Sequence, residues 1–386
     1  MNKWGFDTQL AEIKQRHLYR SRCLIESPQG AEVLMAGKSL INFSSNDYLG
    51  LANHPQVIRA FKAASDKYGV GSGSADLICG HSVEHQALEE ELATFTGRER
   101  ALVFSTGYMA NLGVISALVT KGDDIFHDRL NHASLLDAGK LSGARFRRYT
   151  HADTNRLEQL LLQSKSIKKL IVSDGVFSMD GDEAPIKNLV DLAAQSESLL
   201  MIDDAHGIGV LGASGAGLLE KYQFNQQQVP ILMGTFGKAL GTFGAFVAGS
   251  EALIETLIQR ARTYIYTTAA PAALMAATRE SLRLVQQEPW RREKITELVT
   301  RFQQGANHLG LDIQASITSI QPIVLGDSAK ALQVSEQLKE QGYLVSAIRE
   351  PTVPKGGARL RITITAVHSA TQIDGLLGAL QTTIRP

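Results

Sequence analysis

The sequence predicts an α/β protein with a large central domain around a mainly parallel sheet and a smaller α+β domain at its C-terminal end. Three observations carry this reading. Short, nearly continuous apolar runs recur between residues 101 and 249. Amphipathic stretches at helical spacing lie around and between them. From about residue 286 the order changes to helix, strand, helix, strand, strand, helix. An apolar run without polar alternation is a strand buried on both faces, the usual situation of parallel strands covered by helices.

Taken in order, residues 1–45 combine a polar helical stretch with an extended piece, VLMAGKSLINF, broken at Gly37, and read as an arm. The large domain takes residues 46–285 and the C-terminal domain residues 286–386. Val57, Ile58, Phe61, Ala64 and Tyr68 repeat at helical spacing until Gly69 stops them, and His85, Leu88, Leu92 and Phe95 do so until Gly97. The strands follow as ALVF (101–104), DIFHD (124–128), LIVS (170–173), LLMI (199–202), VPILM (229–233) and GAFVAG (244–249). A helical region then runs from Glu251 to about Gln287, with Pro271 as a break. In the C-terminal domain SITSIQPIVLG, YLVSAI and ARLRITIT are strands, and AKALQVSEQLKEQG is a helix.

Composition narrows the function. Lys plus Arg and Asp plus Glu both number 39 in 386 residues, so no field of one sign gathers polyanions, which argues against a nucleic-acid binder. Arg145, Arg147 and Arg148 form a local basic patch, read as a solvated face or the edge of an anionic-substrate site. Cys23 and Cys79 offer no metal-type pair and read as reduced thiols. The charged N-terminus is no signal peptide and no run is long enough to span a membrane, so a cytoplasmic enzyme is expected.

In parallel α/β sheets, ligands bind beyond the carboxyl ends of the strands. After ALVF comes Ser105-Thr106-Gly107-Tyr108, opening a helix, where hydroxyls and free N–H groups suit a phosphate or simply cap the helix. After LLMI comes Asp203-Asp204-Ala205-His206. That set reads as a metal site, an acid/base pair, or an acid that holds a ring nitrogen; metal is the weakest, because no second ligand cluster follows. The bland alternative makes Asp204 a helix cap and His206 a core histidine.

The most informative stretch follows VPILM: Gly234-Thr235-Phe236-Gly237-Lys238-Ala239-Leu240-Gly241. Gly and Ala leave Lys238 open to a planar group. A phosphate-binding P-loop fails, since position 232 is Leu and Ala239 stands where Ser or Thr belongs. A dinucleotide fingerprint fails as well, since Ser74 stands where a third Gly would follow Gly69 and Gly71. What remains is a lysine placed for Schiff-base chemistry. Asp203 and Lys238, on neighbouring strand ends, fit pyridoxal phosphate, whose ring nitrogen keeps its proton beside a carboxylate. His132, in Asn131-His132-Ala133-Ser134 after DIFHD, would stack on the ring.

With these residues in place, the chain resembles the α-oxoamine synthases, pyridoxal-phosphate enzymes of fold type I. The resemblance spans nearly the whole chain through NFSSNDYLGLANHP (42–55), HQALEEELA (85–93), GVFSMDGD (175–182), DDAHGIGVLG (203–212), TFGKALG (235–241) and AIREPTVPKGGARLRITIT (347–365). It implies Lys238 as the cofactor lysine and base, Asp203 on the pyridine nitrogen, and His206 on the phenolic oxygen. His132 would stack on the ring, with Gly107, Tyr108, Ser178 and Thr235 around the cofactor. Arg361 would clamp the amino-acid carboxylate, and Arg20 (or Arg22), Asn46 and Thr352 would line the acyl side. Thr267 and Thr268 would reach the phosphate of the other subunit of a homodimer with interfacial sites.

The Pro-Thr-Val-Pro stretch points within this family to the member that joins L-alanine to a pimeloyl thioester in biotin synthesis, with loss of carbon dioxide. A sibling that condenses glycine with an acyl-CoA is the rival. Two departures from the family pattern stand out. Gly71-Ser72-Gly73-Ser74-Ala75-Asp76 lacks one glycine of the usual run and adds an acid. Asp174 stands where Glu is commoner, one methylene shorter, which bears on the support of His132.

Overall fold

The apolar runs between residues 101 and 249 become strands of one seven-stranded sheet: β1 (Arg100–Phe104), β2 (Asp124–Asp128), β3 (Arg145–Tyr149), β4 (Lys169–Asp174), β5 (Leu199–Asp203), β6 (Ile231–Thr235) and β7 (Ala245–Gly249). The computed structural model describes residues 3–314 and 316–384. Spatial order is β1-β7-β6-β5-β4-β2-β3. Only β7 runs antiparallel to its neighbours, β1 and β6. The other six strands therefore end on the same side. Apolar side chains cover both faces: Val114, Ile115 and Leu135 pack with Ile125 and Val172 on one, and Leu157, Leu189 and Val190 with Phe126, Ile171 and Leu200 on the other. This is why the runs show no alternation.

The edge strand β3 (RFRRY) has no apolar run to announce it. Its basic patch is solvated at Arg145 and Arg148, as expected of a surface face, and it also has a structural use. Arg145 and Arg147 each donate from Nε to the fully buried Asp124 carboxylate, at 2.5 and 3.1 Å, and Arg148 donates to the Arg129 carbonyl. A buried charge needs such partners.

The chain packs into two compact units, one of residues 51–178 and 183–292, which holds the sheet, and one of residues 1–50, 179–182 and 293–386. In the second unit, Ala358–Thr363 lies between two antiparallel partners, Ile320–Gly326 and Ser346–Ile348. A hairpin, Glu32–Met35 and Lys38–Asn42, turns at Gly37, whose φ of +71° suits glycine, and Tyr343–Leu344 adds to it in parallel. Helices Ser328–Glu340 and Ala370–Ile384 bury Val334, Leu338, Ile373 and Leu376. Arg359 reaches Asp180 at 2.5 Å, which ties residues 179–182 into this unit. No described helix is long and apolar enough to cross a membrane.

Candidate active site

The carboxyl ends of the parallel strands meet at one cavity of about 160 Å³ in the sheet unit. Asp174 ends β4 and Asp203 ends β5, and the two are paired in register. Thr235 ends β6, and Lys238 follows three residues later on a tight loop. That loop is closed by the Gly241 N–H on the Lys238 carbonyl at 2.8 Å. Gly241, at φ +63°, admits no side chain, since a Cβ there would meet the Ala52 nitrogen at 2.3 Å. His132 follows β2 and caps helix α2 (Ala133–Leu141), while Gly107 and Tyr108 open helix α1 (Gly107–Leu118) after β1. Of the sequence-derived cofactor residues, Gly107, Tyr108, His132, Asp203, His206, Thr235 and Lys238 all line this cavity.

Lys238 Nζ and His206 Nε2 share a hydrogen bond of 2.8 Å. Asp203 is buried and accepts from Asn111 Nδ2 at 2.7 Å and from the Ala205 N–H at 3.1 Å. Asn111 also donates to Ser134 Oγ at 2.8 Å, and Ser134 Oγ lies 2.7 Å from His132 Nδ1. The Ser134 N–H approaches the same nitrogen at 3.3 Å, so Nδ1 is an acceptor and the ring proton belongs on Nε2. A single chain of hydrogen bonds thus links Asp203 to the neutral imidazole of His132. Burial lowers the His132 pKa and Lys238 adds to that, while the Asp203 charge opposes it.

Asn111 went unnoticed in the sequence. Its signal was a lone amide within the apolar helix MANLGVISALV, four residues after Gly107. Asn111→Ala removes donors from both Asp203 and Ser134. A hydrogen bond to a charged group contributes about 1.5–3 kcal/mol, so turnover should fall about 10- to 100-fold. A steady-state assay that finds kcat unchanged would show that Asn111 contributes nothing to turnover.

The other expected residues divide by place. Thr106 caps α1 through the Met109 N–H, so the cap reading describes its hydroxyl. Asp204 likewise takes the capping role: it is fully buried and accepts the Leu218 N–H at 2.6 Å. Burial pushes its carboxyl up to about 8 against the pull of that N–H. Tyr108 donates to Asp137 at 2.5 Å. Ser178 lies in the turn after β4 and is not among the lining residues. Thr267 lines a separate narrow pocket with Ser105, Asp76 and His85, and Thr268 is exposed outside both. The divergent loop is pinned, because Ser72 donates to the Ala270 carbonyl and the Ala269 N–H to the Ser74 carbonyl. Asp76 pairs with His81 at 3.4 Å.

In the second unit, Arg361 is buried and donates to Asn46 Oδ1 at 3.1 Å and Thr363 Oγ1 at 3.0 Å, with the Tyr48 hydroxyl at 3.5 Å. Asn46, expected on the acyl side, thus orients Arg361. Arg20 and Thr352 line one cavity of about 260 Å³, which Arg22 does not. Arg349, not singled out in the sequence, lines it too and holds the approach by donating to the His17 and Tyr19 carbonyls. Burial, and then the charge of Arg20, depress the Arg349 pKa.

The cavity around Lys238 fits pyridoxal phosphate on its own chemistry. It offers an amine for an aldehyde, a buried carboxylate for a basic ring nitrogen, a histidine for a phenolic oxygen and an imidazole for a ring face. Asn111 Oδ1 is buried there with no hydrogen-bond partner among the described residues.

Comparison with known proteins gives consistent results. Residues 38–380 match the aminotransferase class I and II family. The chain is 61% identical over 371 residues to an 8-amino-7-oxononanoate synthase of Methylococcus capsulatus, covering 96% of each chain. Among solved structures, a serine palmitoyltransferase of S. paucimobilis with a bound PLP–myriocin adduct superposes with a TM-score of 0.94 at 30% identity, covering 99% of this chain and 97% of that one. An 8-amino-7-oxononanoate synthase of Francisella tularensis gives 0.79 at 32% identity over 90% and 98%.

Proposed function

The chain belongs to the aminotransferase class I and II family, and on that basis we propose that it catalyses the 8-amino-7-oxononanoate synthase reaction. L-Alanine and a pimeloyl thioester, on CoA or an acyl-carrier protein, give 8-amino-7-oxononanoate, carbon dioxide and the free thiol, in biotin synthesis. The observation that carries this is the 61% identity to a relative of that name over nearly the full length of both chains, joined to the lysine, carboxylate and two histidines around one cavity.

Bound at Lys238, pyridoxal phosphate supplies an aldehyde for amines and a protonated ring that withdraws electrons from the carbon beside the amine. Lys238 would hold it covalently, Asp203 would keep the ring proton, His206 would meet the phenolic oxygen, and the N-terminus of α1 with Thr235 would take the phosphate. Lys238 Nζ would also serve as the base for the alanine Cα proton, and the same amine would return a proton to the product. His206, 2.8 Å from Nζ, fixes where that amine stands. Arg361 would take the alanine carboxylate, which a planar fork held by Asn46 and Thr363 suits. Arg20, Arg349 and Thr352 would serve the acyl side. A homodimer in the cytoplasm belongs to the same proposal; exposed Val70, Ile78, Val83 and Tyr266 of the sheet unit are apolar surface it would cover.

Carbon dioxide release, measured with alanine, glycine or serine against pimeloyl-CoA or acetyl-CoA, tests the assignment. Alanine with pimeloyl-CoA should be fastest by at least about tenfold, the usual discrimination for one methyl-sized group in a fitted pocket. A preference for glycine with acetyl-CoA would transfer the reaction to the 2-amino-3-ketobutyrate CoA ligase type.

A further inference from the structure

Asp174 is a second carboxylate in the same cavity, and the reaction just described gives it no task. It ends β4 beside Asp203 in register and is 4% exposed. Its Oδ2 accepts the His132 backbone N–H at 2.6 Å. The Asp174 N–H in turn donates to Asn131 Oδ1 at 3.1 Å, and Asn131 Nδ2 donates to the Val172 carbonyl at 2.8 Å. The turn that carries His132 is therefore fastened to the end of β4 at two successive residues. Ser134 fixes the imidazole from the other side at 2.7 Å.

Two carboxylates side by side in a buried cavity do not both ionise at little cost. Asn111 and the Ala205 N–H both donate to Asp203, whereas among the described residues the Asp174 carboxyl accepts from the His132 amide alone. Burial first, and the Asp203 charge second, push the Asp174 carboxyl well above the usual range. The His132 N–H and Lys238 pull the other way, and Asp128 adds to the rise. Tyr149 is a further titratable neighbour, with its phenol buried.

We propose that Asp174 is a positioning residue that sets the imidazole of His132 at the cavity and leaves Asp203 as the carboxylate that carries its negative charge. The proposal rests on the assignment of His132 and Asp203 above. Asp174 acts as a neutral acid: one oxygen accepts from the backbone, and its charge state leaves the titration of His132 undisturbed.

The test compares Asp174→Ala and Asp174→Asn in the full-length holoenzyme with nitrogen-15-labelled histidine. NMR follows the His132 amide and imidazole, and a steady-state assay gives kcat and KM. In Asp174→Ala the His132 amide proton should move upfield and kcat should fall roughly 10- to 100-fold, because a buried N–H loses its acceptor. Asp174→Asn keeps an acceptor without a charge, so it should restore the amide resonance, recover kcat to within about threefold of the wild type and leave the imidazole titrating as in the wild type. An amide resonance unmoved in Asp174→Ala would overturn the positioning role. An imidazole that titrates at clearly lower pH in Asp174→Asn would show that Asp174 is ionised, and would overturn the division of charge. Failure of the underlying assignment looks different. His132→Gln would then turn over at the wild-type rate, while the two Asp174 variants still reported on the N–H contact.

Discussion

Lys238→Ala is expected to abolish turnover and to leave the protein colourless after incubation with pyridoxal phosphate and dialysis. Two losses combine. On the proposed function the amine would be both the covalent anchor of the cofactor and the base for the Cα proton. A positioned acid–base group alone contributes roughly 10²–10⁴-fold, so turnover should drop by at least that much. Lys238 is half-buried on the loop after β6 and its side chain reaches His206 rather than the apolar core, so its removal should not unfold the sheet. Lys238→Arg separates chemistry from contact. It keeps a positive donor near His206 but offers a guanidinium that forms no stable adduct with an aldehyde, and it too should be colourless. A yellow, active Lys238→Ala enzyme would end the assignment.

Asp203→Asn is the second large effect, and it should fall on kcat rather than on KM. On the proposed function the carboxylate would matter only where negative charge builds up on the ring side of the reacting carbon, so its loss should cost transition-state stabilisation and little ground-state binding. Removal of one preorganised electrostatic partner typically costs about 10²–10³ in kcat. The fold should tolerate the change. The new amide can still accept from the Ala205 N–H, and Asn111 can turn its own amide to meet it, because Asn111 Oδ1 has no hydrogen-bond partner among the described residues. A thermal midpoint near that of the wild type together with a kcat loss of that size would separate chemistry from stability. Normal turnover in Asp203→Asn would refute the role of the carboxylate as holder of the ring proton.

What was legible in the sequence follows one physical pattern. Strands buried on both faces announce themselves as apolar runs, so β1, β4, β5, β6 and β7 could be read directly, and β2 was visible as DIFHD. The residues just past those runs were the ones to inspect, and Asp203, Lys238 and His132 stood there. β3 was not legible, because RFRRY hides its partner: two of its arginines are satisfied by one buried aspartate on the adjacent strand. Asn111 was missed for a related reason, since an amide in an apolar helix is informative only once its carboxylate partner, 92 positions away, is known. Asn46 and Arg361 are separated by 315 positions and meet only through the fold. Arg349 was passed over because its partners are backbone carbonyls, which no side-chain pattern records. Local periodicity reveals what an element buries; it does not reveal which distant groups converge.

Borohydride reduction of the purified protein, followed by protease digestion and mass mapping, tests the central claim most directly. The account predicts one stable pyridoxyl adduct, on the peptide that contains Lys238, formed in wild type and in Asp203→Asn alike. An adduct on a different lysine, or none after reconstitution with excess pyridoxal phosphate, would contradict it.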